Sequence, residues 1–247
     1  EMTERINGEM PQITIADMRR EVLAGNNSCF SSVLKDKIET QLKSGNQIIL
    51  FINRRGYSPM IICSECGYVA RCLNCDVSLN YHKDENRLKC HYCGGRYEVL
   101  GTCPQCKGNK LKKSGTGTQK VCDEINKIFP QAKVLRMDND TTQSKEAHLK
   151  IIRKFEQRQA DILVGTQMIA KGHDFPAVTL VGVLDADLSL YFADYRSIER
   201  TFSLITQVAG RAGRADKEGE VIIQTHTPGH YVYRLIYDYD YKGFYQR

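Results

Sequence analysis

Eight of the ten cysteines in this 247-residue sequence occur as four Cys-x-x-Cys pairs within one segment. The pairs are Cys63/Cys66, Cys72/Cys75, Cys90/Cys93 and Cys103/Cys106. Two intervening residues allow both thiolates of a pair to bind one ion from a tight turn, and two such turns complete a tetrahedral site. The pattern therefore predicts two structural zinc ions. Because four thiolates leave no open coordination position, it disfavours hydrolysis at the metal.

The four pairs can be joined in three ways. Only five residues separate Cys66 from Cys72, which leaves little room for the first two turns to face each other across an ion. A nested arrangement is easier, with the second and third pairs forming an inner site and the first and fourth an outer site. An interleaved arrangement stays open, as do disulfide or iron–sulfur chemistry as minor alternatives. His82 and His91 are interpreted as solvent-facing, because eight cysteines already fill two sites.

The charge balance argues against a simple electrostatic DNA clamp in the cysteine segment. Residues 63–106 contain five Lys/Arg and five Asp/Glu, and a zinc ion held by four thiolates adds a formal charge of about −2. The whole chain has a net charge of +6, compatible with a polyanion partner. The sequence has no signal peptide and no apolar run of membrane-spanning length, which predicts a soluble intracellular protein. It starts without methionine, which indicates a piece of a longer protein.

A second group of residues with chemical potential is QVAGRAGR at 207–214. We predict a helix over 195–213 in which small residues allow close packing. Arg211 and Arg214 would then lie three residues apart on one helical face, from which they could stabilise a phosphate. The alternative is a surface helix with two solvated arginines.

The segment VGTQMIAKGHDFP at 164–176 follows an apolar strand and supplies polar residues at its end. Ligands of open α/β sheets bind at the carboxyl ends of the strands. Further buried strands are predicted at 47–53, 133–137, 161–165, 178–184 and 220–224. Helices are predicted at 31–43, 118–129, 144–156 and 230–244. Strands that alternate with helices predict an α/β fold with a parallel sheet covered on both faces.

This ordered set resembles the second, RecA-like motor lobe of superfamily-two helicases. Together with the cysteine pairs it resembles the PriA family of primosomal replication-restart helicases over about residues 45–230. FINRRGYSP at 51–59 and GTGTQKV at 115–121 resemble the family's segments on either side of its zinc insert. The resemblance implies the nested pairing. It also implies a domain order: 1–30 as tail of or linker from lobe 1, 31–62 as the start of lobe 2, 63–106 as the zinc insert, 107–229 as the rest of lobe 2, and 230–247 as a helix leading to a further domain.

The resemblance also implies roles for individual residues. Arg211 and Arg214 would act as arginine fingers on ATP, and Gln207, Asp174 and Gly172 would contact or sense the nucleotide. The expected contacts to single-stranded DNA are Thr166, Gln167, Lys171, Asn53, Arg54 and Thr116.

The implied function is an ATP-dependent 3′-to-5′ DNA helicase of replication restart, acting on forked and single-stranded DNA in the bacterial cytoplasm, at the nucleoid. Its implied partners are single-strand binding protein and primosome proteins, with no membrane partner. ATP and Mg²⁺ belong to the intact protein, because the chain has neither a Gly-x-x-x-x-Gly-Lys-Ser/Thr loop nor an acidic magnesium motif. We therefore expect no ATP hydrolysis by this chain alone. Two alternatives stay open: a non-enzymatic zinc-binding adaptor, and a translocase on duplex DNA that does not unwind it.

Overall fold

A parallel β-sheet of six strands organises the protein. The computed structural model describes residues 10–53, 60–113, 117–138, 140–142, 144–169, 175–191, 194, 196–213 and 218–247. The strands within these residues are β1 (Gln12–Asp17), β2 (Gln47–Ile52), β3 (Ile61–Cys63), β4 (Asn80–His82), β5 (Arg87–Lys89), β6 (Arg96–Glu98), β7 (Leu111–Lys113), β8 (Val134–Met137), β9 (Ile162–Gly165), β10 (Val178–Leu184) and β11 (Glu220–Thr225). The large sheet has the order β1-β11-β10-β2-β9-β8, and every neighbouring pair is parallel.

The described helices are α1 (Met18–Leu23), α2 (Ser32–Lys43), α3 (Thr118–Ile128), α4 (Lys145–Glu156), α5 (Ser197–Ala209), α6 (Tyr231–Tyr237) and α7 (Tyr241–Tyr245). A short 3-10 helix, Ala186–Ser189, lies between β10 and α5. α2 and α3 pack on one face of the large sheet, while α4, α5 and α6 pack on the other. The predicted α/β class, with helices on both faces, is confirmed.

The central strands form because their sequences are apolar on both faces. All seven residues of β10 and all six of β2 are buried, as continuous apolar runs in a covered parallel sheet should be. Successive side chains of β2 alternate between the two core clusters: Ile49 and Phe51 enter one, whereas Ile48 and Leu50 enter the other. The sheet is thus fixed by side-chain packing from both sides.

The two ends of the described chain form an edge strand and two short helices. Residues 12–17 pair with β11 as an edge strand of the large sheet, and the assignment of residues 1–30 to a tail of or linker from lobe 1 stays a prediction. A single helix was expected over 230–244, but α6 and α7 are separate. Tyr239 breaks the helix with φ of 51°, and Asp240 caps α7 by accepting from Gly243 N at 2.7 Å. The break allows Phe244 to stack on Phe202 of α5, with ring centroids 4.2 Å apart.

The cysteine segment forms a small module at the carboxyl edge of the sheet, between β2 and α3. β3 pairs antiparallel with β7, which brings the two ends of the module together. β4, β5 and β6 form a three-stranded antiparallel sheet around a separate apolar cluster that includes Leu79, Tyr81 and Leu88. The module therefore has its own core and is not an extension of the large sheet.

The four Cys-x-x-Cys turns share one backbone conformation. In each, the carbonyl of the first cysteine accepts a hydrogen bond of 2.9 Å from the residue four positions later. That donor has a left-handed conformation in every turn: Gly67, Asp76, Gly94 and Lys107, with φ of 80°, 52°, 74° and 62°. Glycine is the easiest residue at such a position. In the turn of the last pair, Lys107 takes this conformation although it is not glycine.

The module docks on the sheet through its first turn and a small apolar cluster. Met60, Ile62 and Val69 pack with Leu188 of the 3-10 helix. Gly67 lies so close to the segment after β11 that a Cβ there would be 2.4 Å from the carbonyl oxygen of His226. No side chain larger than hydrogen fits at this contact.

The docking contact predicts different outcomes for two matched glycine substitutions. Gly94→Ala should lower the free energy of unfolding by about 1 kcal/mol, because alanine is strained at positive φ. This backbone strain is the whole expected cost, since a Cβ at Gly94 would have no atom within 4 Å. Gly67→Ala should lower it by about 1–3 kcal/mol more, because the added methyl also collides with main chain. Urea unfolding of the two variants measures the difference, and equal losses would argue against the docked position of the first turn.

A buried carboxylate joins the 3-10 helix to the end of β11 and to α6. Asp187 is 2% exposed. It accepts hydrogen bonds from the hydroxyls of Thr225 and Thr227, from His226 N at 2.6 Å and from the Tyr233 hydroxyl at 2.9 Å. Burial raises the pKa of Asp187, but the interactions with the His226 side chain, with Thr225 and Thr227 and with the His226 backbone outweigh burial and hold that pKa below its usual range.

We predict that Asp187→Ala lowers the free energy of unfolding at pH 7 by about 3 kcal/mol, because it leaves several buried donors without an acceptor. Since the folded pKa lies below the unfolded one, the contribution of the charge is complete above about pH 4 and is lost as the pH falls through the folded value. Urea unfolding at pH 7 and in steps towards pH 3 should show the gap between variant and parent narrowing. Asp36→Ala, at an exposed position of α2, is the control and should change stability by less than about 0.5 kcal/mol.

Candidate metal centres and motor surface

The eight paired cysteines form two separate groups of four. Their members are Cys63, Cys66, Cys103 and Cys106 in the outer group, and Cys72, Cys75, Cys90 and Cys93 in the inner group. Within each group all four sulfurs lie within 4.8 Å of one another. The nested arrangement is therefore confirmed, and the interleaved one is excluded.

The sulfur geometry fits a tetrahedral metal ion. Zinc binds thiolate at about 2.3 Å, so two sulfurs of one tetrahedral site lie about 3.8 Å apart. The observed Sγ–Sγ distances are 3.6 Å for Cys63 with Cys106, for Cys66 with Cys103 and for Cys72 with Cys93. All ten cysteines are free thiols, which removes the disulfide alternative for these pairs in this structure.

The protein surroundings stabilise negative charge on one sulfur of each group. A hydrogen bond with the Tyr97 hydroxyl, at 3.1 Å, is the main reason why the pKa of Cys72 is lowered to about 6. Burial raises the pKa of Cys103, but backbone amides of Cys106 and Gln105 outweigh it and lower the pKa to about 7. A second thiolate in the same group is repelled by the first. All four sulfurs of a group can therefore be deprotonated together only when a cation is bound between them.

Tyr97 is a residue of the inner site that the sequence pattern did not identify. Its hydroxyl lies 3.1 Å from Cys72 Sγ and 3.3 Å from Leu73 N. It reaches the site because β6 pairs with β5 in a register that places Tyr97 opposite Leu88. Cysteine spacing carries no information about this pairing, so no signal in the motif pointed to the tyrosine.

Three of the predicted DNA-contact residues follow strands at the carboxyl edge of the large sheet. Thr166 and Gln167 follow β9, and both are partly buried. The Nε2 of Gln167 is buried and donates no hydrogen bond to any described residue. Asn53, after β2, is fully buried, and its Nδ2 donates to the Ala186 carbonyl at 3.2 Å and to the Ser189 hydroxyl. Asn53 thus joins the end of β2 to the 3-10 helix by hydrogen bonds, while DNA contact by these three residues stays a prediction.

Gln207 and Arg211 lie at the opposite edge of the sheet. The prediction of a helix to residue 213 is wrong, because α5 ends at Ala209 and Arg211 lies in the turn that follows. Gly213 N donates to the Val178 carbonyl at the start of β10, at 3.0 Å. A Cβ at Gly219 would lie 2.6 Å from Ala212 C. The small residues of the motif therefore permit close contact between backbones, and Gln207 is exposed while Arg211 is half-buried.

Six predicted site residues lie outside the described residues: Arg54, Thr116, Lys171, Gly172, Asp174 and Arg214. Of the predicted motor residues that are described, those for DNA and those for nucleotide lie at opposite edges. Since β10 has seven residues and each contributes about 3.3 Å, the two edges are roughly 20 Å apart. The nucleotide and DNA roles that the resemblance implies would thus be served from different ends of the strands.

A cleft of about 130 Å³ lies where the module meets the carboxyl edge. Lys112 from β7, Lys120 from α3 and His226 after β11 line it together with the buried Asp187. These basic residues come from three separate elements, so only the fold reveals their proximity. In the described part of the chain, no helix combines the length and apolarity needed to cross a bilayer.

Comparison with family models gives two matches. The model for the PriA DNA helicase Cys-rich region (CRR) domain matches residues 72–96, and the model for the helicase conserved C-terminal domain matches residues 109–216. The first match covers the inner cysteine group. The second starts near the end of the module and includes the turn with Arg211.

Curated relatives match along almost the whole chain. The replication restart protein PriA of Bacillus subtilis is 52% identical over 246 residues, which cover 99% of this chain and 31% of that protein. PriA of Synechocystis is 46% identical, with 99% and 30% covered, and PriA of Haemophilus influenzae is 41% identical, with 87% and 29% covered. The chain therefore spans less than a third of the length of these relatives.

The solved structures to which the chain is similar include those of two DEAD-box proteins, Dbp5 and Mss116p. The C-terminal domain of Dbp5 gives a TM-score of 0.46 at 13% identity, covering 94% of this chain and 86% of that one. Mss116p bound to single-stranded RNA and AMP-PNP gives 0.48 at 13% identity, covering 96% and 32%.

The parallel sheet, the inserted module with its two four-cysteine groups, and the relatives all lead to one assignment. This chain belongs to the PriA family of replication restart proteins, of which it represents the helicase C-terminal region with its cysteine-rich zinc-ribbon module.

Proposed function

We propose that this chain is the second motor lobe, with its zinc module, of an ATP-dependent 3′-to-5′ DNA helicase that acts in replication restart. The observation that carries the proposal is the insertion of two nested four-cysteine groups at the carboxyl edge of a parallel six-stranded sheet. The adaptor alternative accounts for the cysteines, but it gives no reason for the match of residues 109–216 to the helicase C-terminal domain.

The metal in each four-cysteine group is proposed to be Zn²⁺, bound in a structural role. Four sulfurs at tetrahedral separations suit zinc, and they leave no open position for a catalytic water. Filled sites would fix the four turns relative to one another and hold the first turn against the segment after β11. The module would then form a stable contact surface at the edge where DNA is expected.

Arg211 is proposed to act as an arginine finger on ATP bound by the other motor lobe. The turn after α5 places this half-buried arginine at the amino edge of the sheet, next to the exposed Gln207. A cation there can stabilise the charge that develops during phosphoryl transfer. The same proposal includes Arg214 as a second finger and Asp174 and Gly172 as nucleotide contacts.

The opposite edge is proposed to contact single-stranded DNA. Thr166 and Gln167 lie there, and Lys112 and Lys120 add positive charge at the cleft beside the module. Lysines near a phosphate backbone bind without base specificity. Lys171, Asn53, Arg54 and Thr116 belong to the same proposal, as do forked DNA, single-strand binding protein and primosome proteins as partners, and the bacterial cytoplasm and nucleoid as location.

Native mass spectrometry of the purified chain should find two zinc ions. Cys63→Ser and Cys72→Ser should each lose one ion, because they belong to different groups. Cys29→Ser and Cys122→Ser are the controls and should keep both. A parent protein without bound metal, or a single substitution that removes both ions while the sheet stays folded, would contradict two independent zinc sites.

In the intact protein, Arg211→Ala should lower kcat for DNA-stimulated ATP hydrolysis by at least about 10²-fold, because arginine fingers stabilise the transition state more than the bound nucleotide. Arg200→Ala is a matched control, since Arg200 lies on α5 and pairs with Asp194 at the surface; its kcat should stay within a factor of about two. Equal effects of the two substitutions would argue against the role of Arg211. DNA-stimulated hydrolysis by the 247-residue chain alone would contradict the assignment of the nucleotide site to the other lobe.

A further inference from the structure

Two histidines of the module meet at their ring nitrogens. His82 ends β4, and His91 lies inside the third Cys-x-x-Cys turn. Their Nε2 atoms are 3.2 Å apart, whereas their ring centroids are 5.1 Å apart. The nitrogens are therefore much closer than the ring centres, so the rings approach through their Nε2 ends. His91 is exposed and His82 is partly exposed.

The separation fits two imidazoles that share a metal ion. Zinc binds imidazole nitrogen at about 2.0–2.1 Å, so two nitrogens of one tetrahedral site lie about 3.3 Å apart. One hydrogen bond between two neutral rings would have a similar length. At an exposed position, however, such a bond contributes little, because water competes for both partners. A metal ion, in contrast, would bind the lone pairs of both Nε2 atoms at once.

The inner four-cysteine group, when filled, would place negative charge beside the pair, while Arg87 lies opposite His82 across the hairpin. His91 directly follows Cys90 of the inner group, and a zinc ion held there by four thiolates would carry a formal charge of about −2. This step rests on the proposed zinc sites. Glu85, in the turn between β4 and β5, is paired with Lys89 and lies 3.7 Å from Arg96. Its carboxylate is thus already engaged, which leaves water for the remaining coordination positions.

We propose that His82 and His91 form a third metal site that binds one Zn²⁺ ion at the surface of the module. The ion would link the β4–β5 hairpin to the third turn and so brace the inner four-cysteine site from outside. With two protein ligands and water, it would exchange with solvent far more readily than the ions held by four thiolates.

The test is a titration of the 247-residue chain with Zn²⁺ after native mass spectrometry has counted the ions in the four-cysteine groups. That first count tests the proposed function by itself, and the titration tests the histidine pair. A third equivalent should bind more weakly than the first two. His82→Gln and His91→Gln should each weaken it at least about tenfold, because each removes one of two protein ligands.

Glutamine can keep a hydrogen bond, so these variants separate the two interpretations of the contact. His148→Gln, on α4 and outside the module, is the matched control and should leave the third equivalent unchanged. Native mass spectrometry should find the first two ions retained in all three variants. The proposal is overturned if no third equivalent binds, or if the histidine variants bind it as well as the parent.

Discussion

Parallel pairing of six strands is the constraint on which the arrangement of this protein depends. It sends every carboxyl end to one edge of the sheet and every amino end to the other. The module follows β2 at the carboxyl edge. Helix α5, in contrast, runs back across the sheet, and the turn after it lies at the amino edge beside Val178. The metal groups and Arg211 therefore cannot be neighbours. Among the described residues, the 3-10 helix that follows β10 contacts the module through Leu188.

The sequence predicted the parts of the fold that depend on strong local patterns. VTLVGVL at Val178–Leu184 is apolar at every position, which only a strand buried on both faces explains in this context. The cysteine spacing predicted the two groups and favoured their nesting, because a chain link of five residues limits which turns can meet. These signals are local or depend on chain length alone, so one sequence was sufficient to read them.

The differences arise where non-local packing overrides a local pattern. Tyr239 adopts positive φ although it is not glycine, since the break allows Phe244 to pack on Phe202. α5 ends early because the backbone after it must meet Gly219 and Val178. Tyr97 joins the inner site through strand register. In each case the deciding contact comes from a segment distant in sequence, which a pattern within one segment cannot show.

The pairing of β3 with β7 has a consequence for how such a protein can be modified. Ile61 lies opposite Lys113, so the chain leaves the lobe and returns to it at points only about one strand spacing, roughly 4.8 Å, apart. Because the two ends of the module are held together by its own strands, its insertion adds little entropic cost to the folding of the lobe. The module could therefore be exchanged as a unit. In an engineered lobe, a short turn or an unrelated module with equally close termini could take its place while the six-stranded sheet keeps its register.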